Sequence, residues 1–382
     1  AGNDLLRISG RSYVKVVGFE FVNNLNVSDA SGIRLVGTGH HIELRSNRIH
    51  HITGDSAMGI TVYGTDAAAG IHDLVVDGNE VYDCQPLESE AVTLNGNVSA
   101  FRVTNNRVHD DNNIGIDVIG HEGVCPDPAK DQARNGTVAG NRVWNCRQGG
   151  TDSAFAAGIY VDGGRDVVVE RNRVWGCNIG VEVGCEHKGK TASNVTVRDN
   201  ALYLNDKAGL AFGGYDASVG RVVNCRFTNN TLYRNAEATN RDQRYGQIWV
   251  QWARDCVVKS NVAYAAAGRR LAFFEAGGQS NVVLDYNVYF RPGGTGAAVT
   301  FDGDRDYETV DAYLKAKRQD PHSVFADPKF ADAAGGNFDL LAGSAAINAG
   351  DPNYVPATGE TDIGGGLRRL GGRVDAGADE RA

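Results

Sequence analysis

The chain has 382 residues, of which 42% are hydrophobic, and it carries a formal net charge of −9 at pH 7. Such a chain can bury a large core in one long domain, or in a domain with an appendage. The acidic balance argues against a polyanion-binding surface over the whole molecule, so we expect no nucleic-acid partner. No run of about 18 apolar residues occurs, which predicts no membrane partner.

The chain opens with two strand-like segments, LLRISG and YVKVVGFEF, after which an asparagine motif recurs. In each copy the asparagine is followed by a variable residue and usually by an aliphatic one, as in SNRI, GNEV and NNRV. The asparagines are Asn47, Asn79, Asn106, Asn141, Asn172, Asn200, Asn230, Asn261 and Asn287. Their spacing varies from 26 to 35 residues, which is typical of repeats whose loops differ while their strands keep register.

Three short strands are predicted in each repeat. An alternating segment such as NVTVRDN precedes the asparagine, a short segment such as RVW follows it, and a strand of the form GI-x-V comes next. Three strands per turn would stack into parallel sheets with about 4.8 Å between rungs. From Arg11 to Asn287 the chain resembles the right-handed parallel β-helix proteins of the pectate-lyase-like superfamily, and its asparagine column is similar to their asparagine ladder.

The resemblance implies an all-β fold, a right-handed parallel β-helix of about nine to ten turns. For function it is broad, because this fold serves lyases, hydrolases, epimerases and phage or surface adhesins. A poly- or oligosaccharide is the expected ligand. The first residues, AGNDLLRISG, have no signal-peptide features, so the protein is either intracellular or a leader has been removed. We expect a secreted or periplasmic protein. A cytoplasmic location and a homo-oligomer both stay open.

The tail differs from the repeats. The segment at 307–320, YETVDAYLKAKRQD, places Val310, Tyr313, Leu314 and Lys317 at helical spacing, which predicts an amphipathic helix that caps the coil. The later segments DPKFADAAGGNFDLLAGSAAINAG and GRVDAGADE resemble the closing segment of bacterial β-helix proteins. We therefore divide the chain into a parallel β-helix at 1–303 and a helix with an extended C-terminal capping segment at 304–382.

The seven cysteines are predicted to be buried thiols. Cys84, Cys146 and Cys177 each lie five residues after a ladder asparagine, and Cys225 and Cys256 lie five before one. These equivalent interior positions suit a small apolar thiol. Neither CxxC nor a Cys/His cluster at zinc spacing is present, so we predict no metal site of this kind.

The GI-x-V strands, aligned in register, predict two columns of outward side chains. The first column reads Arg34, Thr61, Thr93, Asp117, Tyr160, Glu182, Ala211, Trp249 and Ala272. The second reads Val36, Tyr63, Asn95, Ile119, Asp162, Gly184, Gly213, Gln251 and Phe274. The acids occur only in three consecutive turns, although like charges on neighbouring strands repel. This pattern predicts a groove rather than a solvated sheet face.

The longest predicted loops flank this same strand, at 121–136, 147–158, 186–193, 214–220 and 235–246. Rigid strands would present the chemistry while the loops build the walls. Just past the acids lie His121, Glu122, Glu186, His187, Lys188 and Tyr215. We predict a substrate-binding set that consists of Tyr160, His121, Glu122, Asn95, Tyr215, Trp249 and Gln251.

The predicted catalytic cluster is Asp117, Asp162 and Glu182, with His187 and Lys188 at its rim. Asp117 and Glu182 lie two rungs apart, which separates their backbones by roughly 9 to 10 Å. Inverting glycosidases place their two carboxyls about 6.5–9.5 Å apart and retaining ones about 5–5.5 Å apart. The cluster resembles that of β-helix glycoside hydrolases, so acid/base hydrolysis or transglycosylation without a cofactor is the leading interpretation. Crowding by like charges should raise the pKa of Asp162 most.

Three alternatives stay open. A polysaccharide lyase would use Lys188 or Lys190 as base, with Ca²⁺ on Asp117, Asp162 and Glu182, and an epimerase would use similar parts. A non-catalytic glycan-binding coil would stack sugars on its aromatic residues. The acidic groove favours a neutral or weakly charged glycan unless calcium bridges the two.

Overall fold

The computed structural model describes residues 3–149, 154–237, 245–293 and 297–381, and in it the chain coils into three long parallel sheets. In this part of the chain sheets A and B contain 12 strands each and sheet C contains 11. Successive strands usually belong to A, B and C in turn, so each turn of the coil adds one rung to every sheet. The predicted all-β solenoid of about ten turns is therefore confirmed.

The strands are short, as the repeat length requires. Sheet A comprises Leu6–Ser9, Ser31–Val36, Met58–Gly64, Glu90–Gly96, Ile114–Ile119, Ala157–Asp162, Ile179–Gly184, Ala208–Phe212, Ile248–Val250, Ala272–Phe274, Val299–Phe301 and the antiparallel Arg305–Tyr307. Sheet B comprises Lys15–Val17, Gly39–Arg45, Ile71–Asp77, Val98–Thr104, Arg134–Ala139, Arg165–Glu170, Thr191–Ser193, Thr196–Arg198, Arg221–Val223, Arg226–Thr228, Ala253–Lys259 and Gln279–Asp285. Sheet C comprises Glu20–Asn24, Arg48–Ile52, Glu80–Tyr82, Arg107–His109, Arg142–Trp144, Arg173–Trp175, Ala201–Tyr203, Thr231–Tyr233, Val262–Tyr264, Val288–Phe290 and Val324–Phe325.

The bend between sheets B and C holds the predicted asparagine ladder. From Asn47 to Asn261, the Nδ2 of each ladder asparagine donates to the Oδ1 of the next at 2.9–3.1 Å. The residue before each ladder asparagine has a φ of 53 to 67°. This left-handed conformation turns the chain sharply, and glycine adopts it at Gly78 and Gly140 without steric cost. The ladder amides thus satisfy buried polar groups at every turn.

A second, shorter ladder, which the sequence pattern did not predict, lies where sheet C passes into sheet A. Asn205 Nδ2 donates to Asn235 Oδ1, and Asn235 Nδ2 donates to Gln247 Oε1, each at 2.9 Å. This bend positions the strands that follow it in sheet A. All seven cysteines are buried free thiols, which confirms the prediction of interior sulfur positions.

The predicted helix covers the end of the coil and runs from Val310 to Lys317. Thr309 caps its N-terminus by accepting a hydrogen bond from the Ala312 amide. Val310 and Tyr313 insert into the main core, where the Tyr313 ring centroid lies 6.3 Å from that of Phe274. The last apolar rung is thereby removed from water.

Residues beyond the helix lie along the side of the coil rather than over its end. A two-stranded antiparallel pair, Phe330–Asp332 with Asn337–Leu340, places Phe338 against Tyr203 and Tyr233 of sheet C. Arg368, which is 1% exposed, pairs with buried Asp199 at 3.0 Å. The division at residue 303 stays a prediction. In the described ranges no helix is long and apolar enough to cross a membrane.

Candidate active site

Strand pairing in sheet A establishes which side chains share the outward column. Successive rungs align Thr93, Asp117, Tyr160, Glu182, Ala211 and Trp249. At the last rung the predicted register is wrong by one residue, because Trp249 pairs with Phe273 and not with Ala272. Ala272 and Phe274 belong to the interior core instead. The three acid-bearing strands are adjacent, as the sequence predicted.

A cleft of about 610 Å³ lies over this column. Five predicted substrate-binding or catalytic residues line it, namely Tyr160, Glu182, Tyr215, Trp249 and Gln251. The sequence interpretation did not assign a role to several others, namely Glu88, Asn113, Gln148, Phe155, Glu186, Tyr245 and Glu275. Most of these lie in loops, where strand periodicity carries no information about direction.

The loops that lead into strands Ala157–Asp162 and Ile248–Val250 of sheet A supply the aromatic side chains on one wall of the cleft. The ring centroids of Phe155 and Tyr245 lie 6.1 and 4.9 Å from that of Trp249. Trp249 donates from Nε1 to Glu275 Oε1 at 3.1 Å. Residues 150–153 and 238–244 of the predicted loops lie outside the described residues. Tyr160 and Trp249 are each only 7% exposed, so they form the floor, whereas Tyr215 is 54% exposed at the mouth.

Glu182 is the carboxyl at the centre of the cleft floor. It follows Tyr160 in the column and precedes Ala211. Desolvation by the surrounding walls, followed by repulsion from Glu186, raises the pKa of Glu182 to about 8. The side chain is therefore a carboxylic acid at neutral pH and can donate a proton.

Asp162 and Glu186 form a second acidic pair at the edge of sheet A. Asp162 Oδ1 accepts a hydrogen bond from the Glu186 amide at 3.1 Å. Burial raises the pKa of Asp162 well above its usual value, and Glu186 is the next largest cause. The like charge with the strongest effect on Asp162 is thus a loop residue rather than Asp117 or Glu182. Gly184 is required beside this pair, since a Cβ there would lie 2.5 Å from the Tyr160 hydroxyl.

Asp117 lies one rung before Tyr160 and is 2% exposed. Its pKa is raised well above the usual value by desolvation and then by Glu90 and Asp162. Glu90, which the sequence interpretation missed, accepts a hydrogen bond from Thr93 Oγ1 at 2.7 Å. Desolvation raises the pKa of Glu90 to about 7, and Glu122 adds to the shift. The sequence pattern did not indicate that Glu90 faces outward, because Glu90 is the first residue of its strand and precedes the GI-x-V motif.

Four of the predicted site residues, His121, Glu122, His187 and Lys188, lie in the loops that leave sheet A. His187 Nε2 lies within hydrogen-bond distance of Glu122 Oε1, at 2.7 Å. His121 is half-buried, with Nε2 at 3.4 Å from the Thr191 carbonyl oxygen. Desolvation lowers its pKa. Lys188 and Lys190 are exposed on the same loop as His187.

Five buried polar atoms on this side of the coil have no hydrogen-bond partner among the described residues. They are Asn95 Oδ1, Asn113 Oδ1, Asp117 Oδ1, His121 Nδ1 and Gln251 Oε1. Buried polar atoms of this kind normally have partners, and unsatisfied ones point to a ligand or to ordered water. Asn95, His121 and Asp117 lie beyond the cleft lining, so these atoms extend the candidate site along sheet A.

The described residues contain no group of three or more His, Cys, Asp and Glu side chains placed to hold a metal ion.

Comparison with known proteins defines the class. A family model described as a right-handed β-helix region matches residues 129–220. The A-module of the Azotobacter vinelandii mannuronan C-5 epimerase AlgE6 aligns with a TM-score of 0.54 and 12% identity, over 78% of this chain and 82% of the module. Pectate lyase Pel9A aligns over 93% of this chain and 88% of its own, with 15% identity and a TM-score of 0.45. The protein is a right-handed parallel β-helix protein, as the sequence resemblance implied.

One curated relative shows which protein family the chain belongs to. The uncharacterized protein YwoF of Bacillus subtilis (strain 168) is 34% identical over 347 residues, which cover 88% of this chain and 72% of YwoF. The chain belongs to the same β-helix family as YwoF.

Proposed function

We propose that the protein is a carbohydrate-active enzyme that cleaves glycosidic bonds with paired carboxyl groups, by hydrolysis or transglycosylation. The observation that carries the proposal is the Glu182 carboxyl at the floor of the cleft, whose pKa is raised to about 8 beside the carboxyl of Glu186. Two interacting acids with different environments are the arrangement that this chemistry requires.

In the proposed reaction protonated Glu182 donates its proton to the glycosidic oxygen, and the bond between that oxygen and the anomeric carbon breaks. The partner carboxylate, that of Glu186, removes a proton from the water or sugar hydroxyl that attacks the anomeric carbon. Repulsion between Glu182 and Glu186 favours a state with one proton on the pair. No cofactor takes part in this scheme.

The fold supports a glycan ligand. The AlgE6 module, similar in fold, is by its name an epimerase that acts on mannuronan. The cleft combines aromatic side chains with carboxyl and amide groups, which is the usual composition of a sugar-binding site.

A panel of neutral, anionic and cationic poly- and oligosaccharides tests the proposal. Hydrolysis produces new reducing ends, whereas β-elimination also produces an unsaturated product that absorbs in the ultraviolet. We expect new reducing ends alone, and a loss of about 10²–10⁴-fold in kcat for Glu182→Gln. Asp117→Asn and Asp162→Asn should also lower turnover. Full activity in all three variants would contradict the assignment of this site.

A lyase or epimerase is the second candidate, since the AlgE6 module shares the fold. On this alternative Lys188 or Lys190 takes the proton next to a uronate carboxyl group. The described acids do not form a metal-binding group, so we derive no step through calcium. Loss of activity on adding EDTA, together with inactive but folded Lys188→Ala, would favour this candidate. Binding without turnover of any glycan would favour a non-catalytic coil.

A further inference from the structure

We propose that the ligand of this cleft is a cationic glycan, whose sugar rings carry primary ammonium groups. The inference rests on the proposed function and names the substrate class of the same site. It is carried by the carboxyl groups, the aromatic rings and the unpartnered acceptor atoms that converge on one cavity.

The described residues that line the cleft carry charge of one sign. Four carboxyl groups line it, those of Glu88, Glu182, Glu186 and Glu275, and no Lys or Arg belongs to its lining among the described residues. Desolvation is the main cause of the raised pKa of Glu182, and the proximity of Glu186 adds to it, so further negative charge is unfavourable in this cleft. A ligand ammonium group would be attracted to the exposed carboxyl groups of Glu88 and Glu186, whereas a uronate carboxylate would be repelled by them.

The aromatic wall suits the same ligand. Cations bind over aromatic faces, and a wall of several rings recognises ammonium groups in particular. Lys207 Nζ already occupies one face of Phe155, 3.4 Å from its centroid, so that face is not available to the ligand. Tyr215 presents a further exposed ring at the mouth of the cleft.

The unpartnered atoms of the cleft require donors. Gln251 and Asn113 line the cleft and are 1% and 3% exposed, and their side-chain oxygens have no hydrogen-bond partner among the described residues. The orientation of Asn113 is set by its Nδ2, which donates to the Ser89 carbonyl at 2.8 Å. An ammonium group has three donors and no acceptor, so it satisfies such oxygens without leaving a lone pair buried. A carboxylate has only acceptors and would leave them unsatisfied.

A binding experiment with three oligosaccharides of equal length tests this inference independently of the proposed enzymatic activity. The probes are a glucosamine hexamer, its fully N-acetylated form and an oligouronate of equal length, titrated calorimetrically into the full-length protein at about pH 6. We expect the cationic hexamer to bind at least about tenfold more tightly than the neutral one at low ionic strength. The preference should shrink in about 0.5 M salt, because salt screens charges at the cleft mouth.

Glu186→Gln and Glu88→Gln should each reduce the preference for the cationic hexamer by about threefold or more, with little effect on the neutral one. Glu308→Gln is the matched control, since Glu308 is exposed and lies in the tail away from the cleft. The control should bind as the wild type does. An unchanged preference in both cleft variants would overturn the inference.

The outcomes for the two proposals differ. Equal or tighter binding of the neutral hexamer or the oligouronate overturns the cationic ligand, even if that glycan is then cleaved and the proposed function stands. Tight binding of the cationic hexamer without cleavage supports the ligand class and contradicts the enzyme. Absence of binding by all three probes contradicts both.

Discussion

At the scale of single residues, Glu182 combines the features expected of a proton donor. It lies at the floor of the cleft, and its pKa of about 8 results from desolvation and from Glu186. Activity that depends on its protonated form should be lost as the pH rises through about 8. The position of Glu182 and its raised pKa are both independent of which glycan binds.

The same pKa shift predicts the stability of Glu182→Gln. The pKa of Glu182 is raised from 4.5 in the unfolded chain to about 8 in the folded protein, so the folded protein holds a proton that the unfolded chain releases between these values. The wild-type protein therefore loses stability as the pH rises from 4.5 to 8. Glutamine does not titrate. We expect the variant to match the wild type at pH 4 and to melt a few degrees higher at pH 8.5.

Thermal unfolding across this pH range checks the expectation, with Glu308→Gln as the control for the loss of one carboxyl group. Equal pH dependence in Glu182→Gln and in the wild type would mean that Glu182 titrates normally.

At the scale of structural elements, the asparagine ladder ties the turns together. Asn172 is fully buried, and its Nδ2 donates both to the Val138 carbonyl and to Asn200 Oδ1. Its own Oδ1 accepts from the amide and the side chain of Asn141. One side chain thus satisfies polar groups in two neighbouring turns.

Asn172→Ala should therefore cost about 2–4 kcal/mol, since it leaves buried backbone and side-chain groups without partners. Asn353→Ala, at an exposed tail position, should change the free energy of unfolding by less than about 0.5 kcal/mol. Denaturant titration of both variants makes the comparison. A loss in Asn172→Ala as small as that of the control would show that the ladder contributes little to stability.

The C-terminal segment is held against sheet C by a few large side chains. Phe338 is 2% exposed and packs against Tyr203 and Tyr233. Phe338→Ala should destabilise this contact by about 3 kcal/mol and increase proteolytic cleavage after residue 325. Val355→Ala is the control in the same segment, since Val355 is 80% exposed. Identical cleavage patterns in the two variants would contradict this role of Phe338.

At the scale of the whole molecule, the cysteines report on the integrity of the coil. All seven are free and none is more than 2% exposed. A reducing agent should therefore leave the melting temperature unchanged within about 1 °C, because no disulfide constrains the unfolded chain. Modification of the thiols by a soluble disulfide reagent should be slow and should accelerate only as the coil opens. Rapid modification of several thiols in the native protein would contradict continuous burial.

The sequence predicted the column of outward side chains and several of the loops that line the cleft, but not which side chains of those loops face it. Asp117, Tyr160, Glu182 and Trp249 follow from strand alternation, which has a fixed period. Ala272 and Phe274 were wrongly assigned to the outward columns because the last repeat lacks the GI-x-V frame. The catalytic and binding roles, the absence of a cofactor and the secreted or periplasmic location remain predictions.

The amino-acid sequence by itself determined the coil, because the ladder asparagines and the alternating aliphatic residues recur in every turn and can satisfy one another only when the turns stack. Local repetition of this kind is visible without coordinates. The tertiary structure alone decided which side chains share the cleft. Glu186, Tyr245 and Glu275 come from three different turns. Their proximity depends on loop conformation and on contacts between distant residues, which no local pattern encodes.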